Sequence, residues 1–398
     1  MNRKSWTLTD VERGVWQESF EVSSRELGLQ QGPPWSIRKR TLRGGLADGV
    51  EVVEVDNGAL AFTVLPTRGM GVWRGAYREL FLGWKAPVRG PVHPRFVNLA
   101  DRGGLGWLQG FDELIVRCGL DSNGAPCTDT VLDNNGNPAQ VALPLHGRIA
   151  NLPACRLEVE VLPAEEPELA VTGVVEESAL FGPSLRLTTR ISTVHGSNSL
   201  AIEDQVTNLR GVPGELELVY HCNFGPPFLE AGSRLVAPAR SVAPRDARAA
   251  EGIAGYDRYL APTPGYVEQV YYYELAADAD GRTLAALANA AGDRAVVVRF
   301  RRDELPCFTQ WKNTAAAGDG YVTGLEPGTN YPNPKPFERG QFRVLRLPPG
   351  GSYRTGLVVE VLDSAPAVAA AEREIAALTG GAAPTVHRAP QPGLSPAG

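Results

Sequence analysis

The sequence predicts an all-β protein, built as one large antiparallel β-sandwich with few short helices. The first observation behind this prediction is a repeated alternation of apolar and polar residues, which is the two-residue period of a half-buried strand. The second is that Gly, Pro, Asn or Asp bounds each alternating run, and the 398 residues include 44 Gly and 32 Pro. The third is the scarcity of segments with a helical pattern.

The clearest hairpin lies in the run GVEVVEVDNGALAFTVLPTRG, which alternates on both sides of Asp56-Asn57-Gly58. Asn-Gly readily adopts the positive φ angles of a tight hairpin turn. Further runs of the same kind are RLEVEVL, SLRLTTRISTV, SLAIEDQVTN, ELELVYHCNF, RAVVVRF and FRVLRLPPGGSYRTGLVVEVL.

The best helix candidate is APAVAAAEREIAAL, residues 365–378, because Ala and Leu favour helix and Gly380-Gly381 follows it. No repeat or linker divides the chain, so we expect one β-sandwich domain over residues 45–380. We expect residues 1–44 to be an N-terminal extension that packs on the sandwich. Residues 381–398 are Pro-rich and are predicted to form a disordered tail.

Composition limits the possible partners and cofactors. The formal charge of −6 and pI near 5.6 argue against a nucleic-acid-binding protein. The five Cys residues are scattered and form no CxxC pair, which predicts neither a disulfide framework nor a zinc site and favours a cytoplasmic location. No signal-peptide core or run of about 18 apolar residues occurs, so no membrane partner is expected.

The sequence also lacks metal-binding His spacings and Gly-rich nucleotide loops, so we expect neither a metal nor a cofactor. It does not determine the oligomeric state. Residues 91–124 differ from the alternating runs because they mix aromatic residues with Gly and charges. Such an irregular segment is a candidate binding rim carried by the sandwich.

Two of the five histidines are candidates for chemistry. His146, in LPLHGRIANLPA, is followed by Gly147, which permits close backbone approach, and by Arg148, which can bind oxygen groups. The alternative for His146 is a turn residue that caps a strand. In ELELVYHCNFGPP, His221 points away from the face that carries Leu216, Leu218 and Tyr220, and Asn223 shares its face. Such a buried His is more often structural than catalytic.

Glu326, in YVTGLEPGTNYPNP, stands between an apolar run and a turn rich in Gly, Pro and Asn. It is either a strand-end charge that reaches water or a base at the mouth of a pocket. A carboxylate base and an imidazole acid on opposite sides of a sugar ring could open that ring by proton transfer. Rotation about the anomeric carbon and reclosure would then give the other anomer.

The motifs LHGR, YHCNF, GLEPGTN and FRVLRLPPGGSY, in this order on an all-β chain, resemble those of the aldose 1-epimerases, also called galactose mutarotases. The segments PTRGMGVWRGAYRELFLGW and GFDELIVRCGL are similar to a divergent bacterial branch of that family. The likeness covers roughly residues 45–362. It implies a galactose mutarotase-like supersandwich and an isomerase of carbohydrate metabolism that interconverts α and β anomers of a small sugar.

Matched motif by motif, the resemblance implies that His221 is the general acid and Glu326 the general base. It implies that His146 holds the substrate or shares the acid role. Arg68 is the expected counterpart of the sugar-binding arginine of the family.

Four further residues are candidate contacts for the sugar. Trp311 and Lys312 fall where the family has a strand beside the site, so Trp311 is either a stacking platform for a pyranose or ordinary core. Arg148 and Asn223 are candidates from their spacing to His146 and His221.

The sequence departs from the family after the acid histidine, where Cys222, Asn223 and Phe224 replace the usual Pro-Tyr-Phe-Asn. Arg68, Arg117 and Arg148 could therefore bind an anionic sugar. Two other functions stay open from the sequence. One is a lyase or isomerase that acts on an oxidised or acidic sugar with the same acid–base pair, and the other is a carbohydrate-binding protein without turnover.

Overall fold

The structure is a computed structural model that describes residues 3–29 and 32–398. Residues 1–2 and 30–31, which fall within the predicted N-terminal extension, lie outside the described residues. In chain order, the first strands are β1 (Lys4–Asp10), β2 (Val15–Trp16), β3 (Phe20–Ser23), β4 (Ser36–Thr41), β5 (Glu51–Asp56), β6 (Leu60–Leu65), β7 (Gly71–Tyr77), β8 (Leu80–Leu82), β9 (Ile115–Leu120), β10 (Cys127–Leu132), β11 (Pro138–Leu143), β12 (Arg156–Leu162) and β13 (Glu168–Ser178).

The remaining strands follow in the second half of the chain. They are β14 (Ser184–Val194), β15 (Ser199–Asn208), β16 (Gly214–Phe224), β17 (Arg234–Val236), β18 (Ala239–Pro244), β19 (Gln269–Leu275), β20 (Arg282–Ala288), β21 (Ala295–Arg301), β22 (Cys307–Thr314), β23 (Tyr321–Gly328), β24 (Leu345–Leu347), β25 (Ser352–Leu362) and β26 (Thr385–Val386). The helices are α1 (Asp101–Gly104), α2 (Ala247–Glu251), α3 (Lys335–Gly340) and α4 (Ala365–Thr379).

The strands form two large sheets and one separate hairpin. The first sheet has the order β17-β20-β21-β25-β15-β14-β13-β12-β1-β2, and the second has the order β26-β18-β19-β22-β23-β16-β9-β7-β6-β5-β4-β3. In the second sheet β24 also pairs with β16, and β8 with β7. Apart from the parallel contact of β26 with β18, the paired strands run antiparallel. The all-β sandwich predicted from the sequence is confirmed.

The two sheets share one continuous hydrophobic core. It joins inward-facing residues of the first sheet, such as Val159 and Ile191, to those of the second, such as Val53 and Phe62. Burial of this apolar surface is the main force that holds the sheets together.

The predicted hairpin at Asp56-Asn57-Gly58 joins β5 to β6, with Gly58 at a φ of 93°. The Asn57 side chain accepts hydrogen bonds from the backbone N–H groups of Ala59 and Leu60, and its amide donates to Thr193 Oγ1 of the other sheet. The turn therefore also joins the two layers.

The predicted helix is present as α4, one residue longer than expected. It ends at Gly380, whose φ of 61° is the left-handed conformation common after helices. Val368, Ala371 and Ile375 form its buried face and pack against strands β20 and β21. None of the helices among the described residues is long and apolar enough to cross a membrane.

Two segments differ from their sequence-based descriptions. The extension over residues 1–44 supplies β1–β4, which are outer strands of both sheets. Residues 91–124 are irregular as predicted up to residue 114, but then form β9 in the second sheet. Because β9 is buried on both faces, it lacks the alternation by which a half-buried strand is recognised.

The C-terminal segment also differs from its prediction. Within residues 381–398, β26 pairs with β18 at the edge of the second sheet, and Ser395 is 2% exposed. The Pro-rich composition predicts disorder, yet single hydrogen bonds from other parts of the chain hold the segment in place. One is donated by Asn333 Nδ2 to the Leu394 carbonyl.

Candidate active site

Strands β16 and β23 bring His221 and Glu326 together. The register pairs Val219 with Gly328 and Cys222 with Leu325, which places His221 opposite Glu326 on one face of the sheet. The Nε2 atom of His221 lies 3.2 Å from Oε1 of Glu326, and both side chains are buried. The two groups are not aligned for a hydrogen bond, so Oε1 has no partner.

Asn223 fixes the orientation of the His221 ring. Its amide N–H groups donate to the backbone carbonyls of Glu113 and His221, both at 3.0 Å. The Asn223 Oδ1 atom must therefore accept, and it lies 2.5 Å from Nδ1 of His221. This contact places a proton on Nδ1 and leaves Nε2 directed at Glu326. Asn223 shares a face with His221, as the strand alternation predicts.

His146 approaches the pair from a turn on the other side. It adopts a positive φ of 57°, and its backbone N–H donates to the carbonyl of Gly124. A Cβ atom on the next residue, Gly147, would lie 2.1 Å from the carbonyl of Ser122, so the turn requires glycine there. The His146 ring centroid is 5.5 Å from that of His221, and its Nδ1 atom has no hydrogen-bond partner.

Three aromatic side chains surround these groups. Trp107 and Phe111 come from the irregular segment, and their ring centroids lie 4.5 Å apart. Trp107 also packs edge-on against His146, at 4.6 Å, and its own Nε1 has no partner. Trp311 stands on β22 with its ring 5.3 Å from that of His221. Aromatic faces of this kind are suited to packing against the C–H face of a sugar ring.

The two histidines, Glu326 and the three aromatic side chains line one cavity of about 490 Å³. Its remaining wall is mostly apolar, with one group of charges at Arg245, Asp246 and Glu268. Arg245 contacts Asp246 at 2.9 Å and Glu268 at 3.1 Å. Glu268 also accepts a hydrogen bond from Nε1 of Trp311, at 2.6 Å. The single arginine of the cavity is thus paired with two carboxylates.

Burial controls the protonation of the central groups. It raises the pKa of Glu326 well above its ordinary value, and Glu268 adds to this effect while Arg245 opposes it. Burial lowers the pKa of His221 to about 4, against the hydrogen bond to Asn223, which raises it. Burial also lowers the pKa of His146 well below its ordinary range. Near neutral pH both shifts favour the uncharged forms, so the His221–Glu326 pair holds one transferable proton, on Glu326.

Arg68 does not reach the cavity. Its Nε donates to Glu113 at 2.6 Å, Nη1 to the carbonyl of Val92 and to Asn151, and Nη2 to the carbonyl of Gly110. The guanidinium is 1% exposed and bound throughout by protein groups. This placement corrects the prediction of a sugar contact: Arg68 supports the loop that carries Trp107, Phe111 and Glu113.

Four other predicted contacts do not line the cavity, and one of them, Asn223, lies behind His221 as described above. Arg117 is buried between the sheets, where it pairs with Asp204. Arg148 is exposed and lines a separate groove beside the β10–β11 hairpin. Lys312 points to the face of β22 opposite Trp311, donates to the carbonyl of Gly255 at 2.7 Å, and has its pKa lowered to about 8 by burial. These placements differ from the prediction because residue type alone does not indicate a side chain's partner.

Sequence reasoning identified neither Trp107 and Phe111 individually nor the Arg245–Glu268 pair. The aromatic residues lie in the segment marked as a binding rim, so composition carried part of that signal. Arg245 and Glu268 belong to loops that no motif distinguishes. In residues 3–29 and 32–398, no group of three or more His, Cys, Asp or Glu side chains is arranged to hold a metal ion.

The chain is similar to proteins of one fold family over most of its length. The family described as "Domain of unknown function (DUF4432)" matches residues 47–361. A crystal structure from Klebsiella pneumoniae, of a protein named as a candidate aldose 1-epimerase, is 36% identical with a TM-score of 0.92, and the match covers 98% of this chain and 99% of that one. No curated protein matches the chain.

More distant structures share the fold. A galactose mutarotase-like protein from Clostridium acetobutylicum is 15% identical with a TM-score of 0.55, over 82% of this chain and 98% of that one. A galactose 1-epimerase from Lactobacillus acidophilus is 14% identical with a TM-score of 0.51, over 87% and 99%. The chain therefore belongs to the family described as domain of unknown function DUF4432, and its galactose mutarotase-like fold confirms the resemblance to the aldose 1-epimerases seen in its sequence.

Proposed function

We propose that the protein is an aldose 1-epimerase-like isomerase that interconverts the α and β anomers of a neutral sugar. The observation that carries this proposal is the pairing of Glu326 with His221 in a cavity with aromatic walls. Oε1 of Glu326 has no hydrogen-bond partner and lies 3.2 Å from a ring nitrogen that Asn223 holds in one orientation. A sugar hydroxyl and ring oxygen can take up the hydrogen bonds that these groups lack.

In the proposed reaction one partner of the pair removes the proton of the anomeric hydroxyl. The bond between the anomeric carbon and the ring oxygen breaks, and the other partner donates its proton to that oxygen. Rotation of the aldehyde and reclosure, with the roles reversed, gives the second anomer. We assign the base role in ring opening to Glu326 and the acid role to His221. The proton of the pair passes from Glu326 to Nε2 of His221 when the substrate binds, and the Asn223 oxygen stabilises the resulting imidazolium. His146 binds a substrate oxygen through its unpartnered Nδ1.

The charge of the cavity supports a neutral sugar. None of Arg68, Arg117 and Arg148 lines it, and Arg245 is already paired with Asp246 and Glu268. An anionic substituent would meet two carboxylates and no free guanidinium there. A phosphate or uronate would therefore lose its hydration without gaining a charged partner.

The test is a substrate panel in D₂O. Saturation-transfer NMR of neutral, phosphorylated and acidic aldoses measures anomer exchange, while deuterium at C2 reports an enediolate. We expect faster exchange of neutral sugars and no deuterium at C2, because mutarotation breaks no C–H bond. Deuterium incorporation would instead support eliminative or isomerase chemistry through an enediolate. Binding without exchange or deuterium would support a binding protein.

A further inference from the structure

The C-terminal segment forms part of the cavity wall. Ser395, Pro396 and Ala397 are consecutive lining residues, beside Pro332–Pro334 from the loop after β23. We name residues 388–397 the C-terminal strap. It follows β26, where the backbone N–H of His387 donates to the carbonyl of Val242.

Side chains from separate elements anchor the strap. Arg343 donates to the carbonyl of Gly393 at 2.8 Å, and Asn333 to that of Leu394 at 2.9 Å. The Leu394 side chain packs against the small apolar cluster that contains Val270 and Tyr272. The strap itself contains no helix or strand, so its position depends on these few contacts.

The strap is also connected to the aromatic wall. The hydroxyl of Ser395 donates to the backbone carbonyl of Arg245. The Arg245 side chain pairs with Oε1 of Glu268, and Oε2 of Glu268 accepts the indole N–H of Trp311. Displacement of the strap would therefore remove a hydrogen bond from Arg245, which pairs with Glu268, the residue that binds the indole of Trp311.

We propose that the C-terminal strap sets the size limit of the site, so that it admits one sugar residue and excludes reducing oligosaccharides. The inference rests on the proposed function. A cavity of about 490 Å³ lies in the lower part of the 300–1,000 Å³ range of small-molecule sites. Pro396 and Ala397 line the cavity, so removal of the strap would open the cavity on this side.

Two variants change the wall in opposite directions. One ends at His387 and lacks the strap, and the other, Ala397→Trp, keeps the full chain and adds bulk to the wall. The kcat/KM for anomer exchange is measured with a hexose and with a reducing disaccharide of that hexose. We expect loss of the strap to lower the preference for the single sugar about tenfold or more, and Ala397→Trp to raise KM for the hexose about tenfold.

The control is Gln391→Ala, because the Gln391 amide bonds only to carbonyls of Ala389 and Pro390 within the strap. We expect it to retain the wild-type preference. An unchanged preference after loss of the strap, together with an unchanged KM for the hexose in Ala397→Trp, would overturn the proposal. If the shortened chain does not fold, Ala397→Trp decides: a wild-type KM for the hexose would contradict the inference.

A measurement without turnover separates this inference from the proposed function. Acrylamide quenching of Trp311 fluorescence is obtained as the difference between each protein and its Trp311→Phe counterpart. We expect loss of the strap to raise the quenching constant about twofold or more, because local protection is removed. If the wild-type protein accelerates anomer exchange of no sugar, the proposed function fails. Unchanged quenching would then overturn the inference as well, and increased quenching would support the strap as the wall of a binding site.

Discussion

Asn223 determines which proton the His221 ring can transfer. Its amide group is committed to two backbone carbonyls, so its oxygen accepts from Nδ1 of the ring. The ring nitrogen that can gain and lose a proton in the reaction is therefore Nε2, which lies 3.2 Å from Glu326. Asn223 does not line the cavity, and so it acts as a positioning residue through His221. A hydrogen bond to the imidazolium is worth about 1.5–3 kcal/mol.

Asn223→Leu removes this acceptor and should lower kcat for anomer exchange about tenfold to a hundredfold. KM should change little, since the side chain does not touch the cavity. The acid limb of the pH–rate profile should move, because the pKa of His221, already about 4, loses the contact that raises it. Nitrogen-15 shifts of the ring should show loss of the fixed Nδ1–H tautomer.

The variant Asn223→Asp serves as the rescue, because its buried carboxyl group, when protonated, keeps an acceptor oxygen for Nδ1 and one O–H donor for the backbone carbonyls of Glu113 and His221. We expect it to restore the Nδ1–H tautomer and most of kcat. If Asn223→Leu keeps the wild-type kcat and pH profile, Asn223 has no part in the reaction.

At the scale of elements, His221 on β16 and Glu326 on β23 can meet because the residue beside them on β23, Gly324, has no side chain. Gly324 lies on the same strand face as Glu326, between Asn223 on β16 and Trp311 on β22. A Cβ atom at Gly324 would lie 2.4 Å from Oε1 of Glu326 and 3.0 Å from Cε1 of His221. The absence of a side chain therefore provides the space in which the pair meets.

Gly324→Ala should lower the exchange rate about tenfold or more while the protein stays folded. The added methyl group meets the ends of flexible side chains, which can move aside, so the pair is displaced and the sheet is retained. The matched control is Gly356→Ala on β25, where the nearest atom to a new Cβ is the Ile202 carbonyl oxygen at 3.2 Å. Equal exchange rates in the two variants, at similar Tm, would contradict this reading of Gly324.

At the scale of the whole molecule, buried acids make stability depend on pH. Glu177, on β13, is 3% exposed, and its Oε2 accepts the backbone N–H of Leu120 at 2.8 Å. Burial raises the pKa of Glu177 to about 7, with Asp121 adding to the effect and the Leu120 N–H and Arg148 opposing it. In the unfolded chain the group ionises near 4.5. Its stabilising contribution is therefore present below about pH 4.5 and is lost as the pH rises towards 7.

Glu177→Gln should reduce this pH dependence, because an amide keeps a hydrogen-bond acceptor for Leu120 and has no proton to lose. We expect the difference in Tm between pH 5 and pH 7.5 to shrink by about 2 °C or more. The control is Glu176→Gln, whose side chain is 36% exposed on the same strand. If both variants keep the wild-type difference, Glu177 does not control this pH dependence.

The features predicted from the sequence are those encoded by local pattern. Alternation located β14, β15 and β25, and it placed His221 and Asn223 on one face of β16. The roles of Arg68 and Arg117 could not be read in this way, because their partners Glu113 and Asp204 are far away in the chain. The Pro-rich composition of residues 381–398 predicts disorder, because the order of this segment depends on side chains from elsewhere in the chain, such as Asn333 and Arg343.

The measurement that tests the central claim most directly is the rate of anomer exchange for Glu326→Gln against the wild type. Gln keeps the size of the side chain but cannot act as the base, so we expect exchange to fall about a hundredfold or more. The control is Glu203→Gln on β15, where the side chain is 68% exposed and away from the cavity. It should exchange at the wild-type rate. An anomer exchange rate for Glu326→Gln equal to that of the wild type would contradict the proposed acid–base mechanism.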